Sequence, residues 1–191
     1  RVDKLALGSI IPKLAAILIG DDSASEVYVR NKGRAFEKLN CRSHTYNLSA
    51  DTNEKEILDL INKLNHDIDV HGILIQFPLP RNLNSQKILH SVSPKKDVDG
   101  FHPYNLGSLL EGNPQFIPCT PSGILKILKY YQIPVVGRHA VIVGRSNIVG
   151  KPLFALLAQK FEMGNATVTI CHTGTRDIIK HTRQADILIA A

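Results

Sequence analysis

Tyr28-Val-Arg-Asn-Lys32 sets an aromatic ring and a primary amine four residues apart. On a helix, at about 100° per residue, the two side chains stand about 40° apart, with Ser25 on the same flank. An amine beside a ring can move a proton once its surroundings bring its proton affinity towards neutrality. The same spacing also describes a surface tyrosine next to a solvated lysine. Gln76 closes the otherwise apolar run Gly72-Ile-Leu-Ile. A buried amide must be hydrogen-bonded, either to orient a lysine or to tie down the Phe77–Pro80 backbone. Lys95-Lys-Asp-Val-Asp-Gly100 offers two carboxylates ahead of a glycine. Asx turns account for most such clusters; in a functional role, Asp99 would accept hydrogen bonds from an amino-substituted heterocycle.

A second group of residues suits anions. Val141-Ile-Val-Gly-Arg-Ser-Asn-Ile-Val-Gly-Lys-Pro152 is a β-branched run that breaks at Gly144 and restarts as a helix near Gly150. A strand feeding a glycine-bounded turn into a helix presents unpaired N–H groups and the positive end of the helix dipole, the elements of a phosphate cradle. The spacing of Gly, five residues, Gly departs from the usual G-x-G-x-x-G fingerprint, and an ordinary βα turn is the competing description. The next strand, Thr167-Val-Thr-Ile-Cys-His172, carries no Asp or Glu at its tip to accept from a ribose 2′-OH. Hydroxyls and cations stand there instead: Thr173, Thr175 and Arg176, with Arg145 in the first turn. A guanidinium fork and hydroxyls suit a 2′-phosphate, hence NADP.

The elements that must hold these residues alternate between strand and helix. Lys13–Gly20 is a continuous apolar strand, and Asp22 or Ser23 can cap a helix running to about Leu39. A strand near residues 44–48, a helix over about 53–65 and the apolar strand from Gly72 follow. Thr120-Pro-Ser-Gly123 opens a helix to about Tyr131 that leads into the nucleotide-type segment. This pattern predicts an α/β protein: an N-terminal, open, mostly parallel domain over residues 1–120, then a Rossmann-like domain over 121–191. Residues 185–191 read as a third buried strand, so the Rossmann-like domain is expected to be present only as its first half and truncated at its C-terminal end. The start at Arg1 likewise suggests a missing N-terminal piece.

The 191 residues carry a formal net charge of +6 with 43% hydrophobic and 21% charged residues, the profile of a globular protein. Basic residues are dispersed without interleaved aromatics, which argues against nucleic acid, and no apolar run approaches membrane-spanning length. Cys41, Cys119 and Cys171 show neither metal nor redox spacing and fit a reducing compartment, the cytoplasm. No metal or base role is assigned to the lone histidines, His71 and His102 among them.

Taken together, these segments resemble the bifunctional methylenetetrahydrofolate dehydrogenase/methenyltetrahydrofolate cyclohydrolase family. The likeness runs through Gly20-Asp-Asp-x-Ala-Ser-x-x-Tyr-Val-x-x-Lys32, Gly72-Ile-Leu-Ile-Gln-Phe-Pro-Leu-Pro80, Lys96-Asp-Val-Asp-Gly-Phe-His102, Pro118-Cys-Thr-Pro-x-Gly123 and Gly144-Arg-Ser-x-Ile-Val-Gly-x-Pro152. Five motifs in family order are far more specific than any one of them. The resemblance implies oxidation of methylenetetrahydrofolate with NADP, then hydrolysis of the methenyl product to 10-formyltetrahydrofolate. It implies that Lys32 is catalytic, that Gln76 holds and polarises it and contacts the substrate, that Asp99 binds the pterin, and that Tyr28 stacks on the folate. Gly144, Arg145, Ser146, Val149, Gly150 and Thr173 would hold NADP. The implied partners are a folate, with or without a polyglutamate tail, and a second copy of the chain, in the cytoplasm or the matrix of a mitochondrion.

Two departures stand out. Family members commonly read His-Ser-(Lys/Arg)-Thr after the second nucleotide strand, where this chain has His172-Thr-Gly-Thr175 and one cation fewer. The family's Pro-Gly-Gly-containing C-terminal segment is absent from the sequence. Tyr-x-x-x-Lys also marks short-chain dehydrogenases, but they place it well after the glycine turn, whereas Tyr28 precedes Gly144. A non-catalytic folate- or nucleotide-binding domain is the other alternative; the joint presence of Lys32, Gln76 and Asp99 speaks against it.

Overall fold

Each half of the chain is built around an apolar strand buried on both faces. The computed structural model describes residues 10–191. In the first half, β1 (Lys13–Ile19), α1 (Ser23–Lys38), β2 (Arg42–Leu48), α2 (Glu54–His66), β3 (Gly72–Ile75) and α3 (Ser85–Ser91) follow one another. The strands are parallel in the order β2-β1-β3, with Ile17 opposite both Tyr46 and Ile75. Alternate residues of β1 serve opposite faces. Ala15, Ile17 and Ile19 pack with Ile57, Ile61 and Leu64 of α2 and Ile88 of α3, while Leu14 and Ala16 pack with Val29 of α1. Burial on both sides is why β1 reads as an unbroken apolar run.

The second half contains α4 (Pro103–Glu111), α5 (Cys119–Tyr130), β4 (His139–Val143), α6 (Gly150–Ala158), β5 (Thr167–Cys171), α7 (Ile178–Arg183) and β6 (Ile187–Ala190). Ala140 and Ile142 of β4, fully buried, pack with Leu153 and Leu157 of α6 and Leu128 of α5. Leu109 of α4 packs against Ala155 and Leu156. The two compact units divide between Val98 and Asp99, earlier than residue 120, so that α4, which packs against α6, belongs to the second.

The first half of a Rossmann domain extends outward, each strand beyond the last. Here the order is β5-β4-β6, all parallel, so β6 crosses back to the far side of β4. Both sheets therefore have the order second-first-third. Such a reversal opens a crevice at the carboxyl ends of the first and third strands, where open α/β sheets take their ligands. In the first unit that point is the end of β1 and β3, beside Gln76; in the second it is the end of β4 and β6, beside Gly144.

Helix ends follow local rules. The side chains of Asp22, Asn53 and Asn84 accept backbone N–H groups at the starts of α1, α2 and α3. The Lys96 ammonium donates to the carbonyls of Leu64, at 2.9 Å, and Asp67, at 2.6 Å, closing the end of α2. Among the described residues no helix is long and apolar enough to cross a membrane, and no group of three or more His, Cys, Asp or Glu could hold a metal ion.

Candidate active site

At the first crevice the sequence supplies a neutral amide, a buried hydroxyl and an amine. Gln76 lies one residue beyond β3, its backbone N–H still donating to Ile17 at 2.9 Å. Its side-chain Nε2 donates to the Phe77 carbonyl at 2.8 Å. A carbonyl only accepts, so the amide must turn its NH₂ towards Phe77, which leaves Oε1 as an acceptor. The same Phe77 oxygen accepts from Ser25 Oγ at 3.2 Å. Ser25 is 3% exposed in the first turn of α1, and its backbone N–H donates to Asp22 Oδ2 at 2.8 Å. Ser25, through its side chain and its backbone N–H, holds the Asp22 carboxyl below its ordinary value. Because the hydroxyl's one proton goes to Phe77, the backbone bond is the lasting part of that hold.

Ser25 thus fastens the start of α1 to the tip of β3. Seven residues on, about 20° away around the helix, stands Lys32. Its Nζ lies 4.5 Å from the centroid of the Tyr28 ring, a cation–π contact. Tyr28 is 54% exposed, so the ring keeps open surface for a planar ligand. The pair expected from spacing is formed. The role of Ser25 was visible in the sequence only as a shared helix flank, since its partner Phe77 is 52 residues away.

Asp99 is half-buried and opens the second unit. Its neighbour Asp97 is 5% exposed and bridges to Ile73, and the backbone N–H groups of Lys96 and Asp97 both donate to the Ser93 carbonyl. The segment is therefore a built turn, with Asp97 inside.

At the second crevice, the glycines are required by contact. A Cβ on Gly144, whose φ is +139°, would stand 2.1 Å from the Ala191 carbonyl oxygen, and one on Gly150 would stand 2.3 Å from that of Gly144. The turn passes this close to β6 and to the start of α6 because no side chain intervenes. The expected cradle of unpaired N–H groups is changed in one respect. Ser146 Oγ already accepts from the N–H groups of Val149, at 3.1 Å, and Gly150, at 3.3 Å, and the Ser146 carbonyl accepts from Lys151 at 3.0 Å. The helix start is thus capped from within the turn, and the hydroxyl proton of Ser146, with its oxygen doubly engaged, is free to point outward. Arg145 and Thr173 are exposed, and both line a cavity of about 370 Å³ with Val143, Gly144, His172 and Ile178.

A sheet switch point carrying amine, ring and amide, and another carrying a glycine turn with arginine and serine, define an α/β protein of the nucleotide-dependent class. Residues 1–99 match the model of the tetrahydrofolate dehydrogenase/cyclohydrolase catalytic domain, and residues 118–191 that of the NAD(P)-binding domain. The chain belongs to the tetrahydrofolate dehydrogenase/cyclohydrolase family. It is 50% identical over 182 residues to the bifunctional protein FolD of Streptococcus agalactiae, covering 95% of this chain and 63% of that one. With FolD of Nitratidesulfovibrio vulgaris the identity is 51% over 187 residues, covering 98% and 65%. The chain thus spans somewhat less than two thirds of these relatives' length. The crystal structure of the bifunctional FolD enzyme from Campylobacter jejuni superposes with a TM-score of 0.93 at 46% identity, covering 100% of this chain and 66% of that one. The FolD of Trypanosoma brucei, solved with NADP and an inhibitor, gives 0.90 at 31%, covering 100% and 66%.

Proposed function

We propose that this chain takes a reduced folate through its first unit and NADP through its second, oxidises methylenetetrahydrofolate to the methenyl form, and hydrolyses that product to 10-formyltetrahydrofolate. The observation that carries the reading is the shared Phe77 carbonyl, which fixes the helix bearing Lys32 and the amide of Gln76 to one anchor at a ligand-binding crevice. The named activities of the relatives support it.

The second unit's fit to NADP rests on its glycine turn, where added Cβ atoms would meet backbone, and on its donors. Gly144, Val149 and Gly150 shape the turn, while Arg145, Ser146 and Thr173 supply donors for phosphate oxygens. NADP, when bound, supplies the hydride acceptor. The protein's part in the oxidation is alignment: Tyr28 offers a ring face to the folate, and Asp99 accepts hydrogen bonds from the pterin edge. The methenyl carbon left behind is a cation flanked by two nitrogens, open to water. Lys32 takes the proton from the attacking water and returns one to N5 as the C–N5 bond breaks, which opens the ring to the 10-formyl product. Gln76, a neutral acceptor, directs that amine through Oε1. The test is an assay of the purified protein for NADP-dependent formation of the methenyl absorbance and for its loss above the buffer rate. Absence of both activities would overturn the reading.

Two expectations follow for binding. Asp99→Ala weakens folate binding by about 10- to 150-fold, the worth of a hydrogen bond to a charged group, and leaves NADP affinity within a few-fold. Calorimetry with each ligand separates this from a structural turn, for which both affinities would fall together. Arg145→Ala raises the Michaelis constant for NADP roughly ten- to a hundred-fold and that for NAD much less. Equal effects on the two would remove Arg145 from the 2′-phosphate.

The free thiols Cys41 and Cys171, both buried, support a reducing compartment, and we place the protein in the cytoplasm, with the mitochondrial matrix as the alternative. A homodimer and a polyglutamylated substrate complete the proposal on the strength of the family resemblance.

A further inference from the structure

The amino edge of the first sheet carries a row of basic residues that its own ladder assembles. Lys13 opens β1 and stands directly opposite Arg42, the first residue of β2, while Leu14 stands opposite Gly72 of β3. His71 therefore falls beside Lys13 on the other side. Two bonds join them: the His71 N–H donates to the Lys13 carbonyl at 2.9 Å, and the Lys13 N–H donates to His71 Nδ1 at 3.2 Å. With Nδ1 accepting, a neutral imidazole carries its proton on Nε2. Arg42, Lys13 and His71 thus present two cations and one neutral donor in a row across three neighbouring strands.

Like charges on directly paired strand residues repel, so the row is held at a cost unless an anion lies over it. The acids nearby do not remove that cost. Asp67 Oδ2 stands 4.0 Å from Lys13 Nζ, and its other oxygen accepts from the Asp69 N–H at 2.9 Å within its own turn. Among the described residues the Arg42 guanidinium has no ion-pair or hydrogen-bond partner, although Glu37 and Asp69 line its cavities. There is room for a ligand. A cavity of about 360 Å³ is lined by Ile10, Ile11, Lys13, Arg42, Asp69 and His71, and Lys13 and Arg42 also line a second, of about 570 Å³, with His44 and Tyr46. Neighbouring strands lie about 4.8 Å apart, so the row spans about 10 Å, more than one oxyanion covers. The seven residues of β1 set this edge about 20 Å from the crevice beside Gln76.

We propose that the amino edge of the first sheet is a second ligand site, where Arg42, Lys13 and the Nε2–H of His71 hold a small molecule with two or more anionic groups, a phosphate ester or a polycarboxylate. The probes are inorganic pyrophosphate and citrate, each titrated calorimetrically into the purified protein in the presence of saturating NADP, which occupies the phosphate donors of the second unit. Uptake of pyrophosphate alone assigns the site to phosphate esters, of citrate alone to carboxylates, and of both to polyanions at large. Arg42→Gln, a change at an exposed position on the open edge of the sheet, weakens the bound probe about ten-fold. Asp69→Asn removes a negative charge from the cavity and tightens the probe a few-fold. Uptake of neither probe at about 10 mM, or equal affinities in wild type and Arg42→Gln, would overturn the proposal. Nitrogen NMR of the wild-type protein tests the site without relying on a variant. The bound probe shifts the His71 Nε2 resonance while Nδ1 stays unprotonated; an unmoved Nε2 at saturation would refute the site.

Discussion

Lys32→Met slows hydrolysis of methenyltetrahydrofolate by about a hundred- to ten-thousand-fold, the usual contribution of a group that transfers a proton. Methionine keeps the length and the packing of the lysine stem on the Tyr28 ring, and the helix loses nothing in propensity. The ammonium lies 4.5 Å from the ring centroid, and neither apolar cluster of the first unit includes Lys32. Folate and NADP affinities should therefore stay within a few-fold. Loss of the methenyl absorbance, measured against the buffer rate at saturating substrate, reads the chemical step directly. A near-normal rate would show that another group takes the proton, and equal losses in rate and in folate affinity would make Lys32 a binding residue.

Gly150→Ala removes stability and nucleotide binding together. The new Cβ would lie 2.3 Å from the Gly144 oxygen, 2.8 Å from its carbonyl carbon and 3.0 Å from Arg145 Cα. All three are backbone, so no side chain can swing aside. The turn must open, which breaks the two N–H bonds to Ser146 Oγ and moves Arg145. An overpacked, backbone-limited site of this kind costs about 3 kcal/mol, or roughly 6–12 °C in melting temperature for a protein of this size. Thermal unfolding and calorimetry with NADP should show both losses. A variant that melts with the wild type would mean that the turn can widen at no cost.

Much of this architecture was legible because the deciding signals are local. The apolar run ending at Ile19 and the Asp22 cap define β1 and the start of α1, and Tyr28 and Lys32 meet because helical spacing alone brings them together. The short helices α3, α4 and α7 are too brief to display a period: Ser85–Ser91 covers seven residues and Ile178–Arg183 six. The helix that restarts near Gly150 stops at Ala158, because Gln159 turns extended. Strand order was hidden for a different reason. Whether β6 pairs with β4 or lies beyond β5 depends on the path of the crossover, and the apolar residues of Ile187–Ala190 would suit either side. At the sites, residue types pointed to Lys32, Gln76 and Arg145 as candidates, but Ser25's bond to Phe77 and Ser146's grip on its own helix required coordinates, since each is fixed by backbone approach.

The Phe77 oxygen has two lone pairs, and Gln76 and Ser25 fill both. The tip of β3 and the first turn of α1 are consequently one mechanical part. A disturbance entering through the helix is felt at the amide, and one entering through the strand is felt at the helix, because the two share one atom. Ser25 and Gln76 are therefore coupled as a pair: a change at either leaves the other holding half a junction.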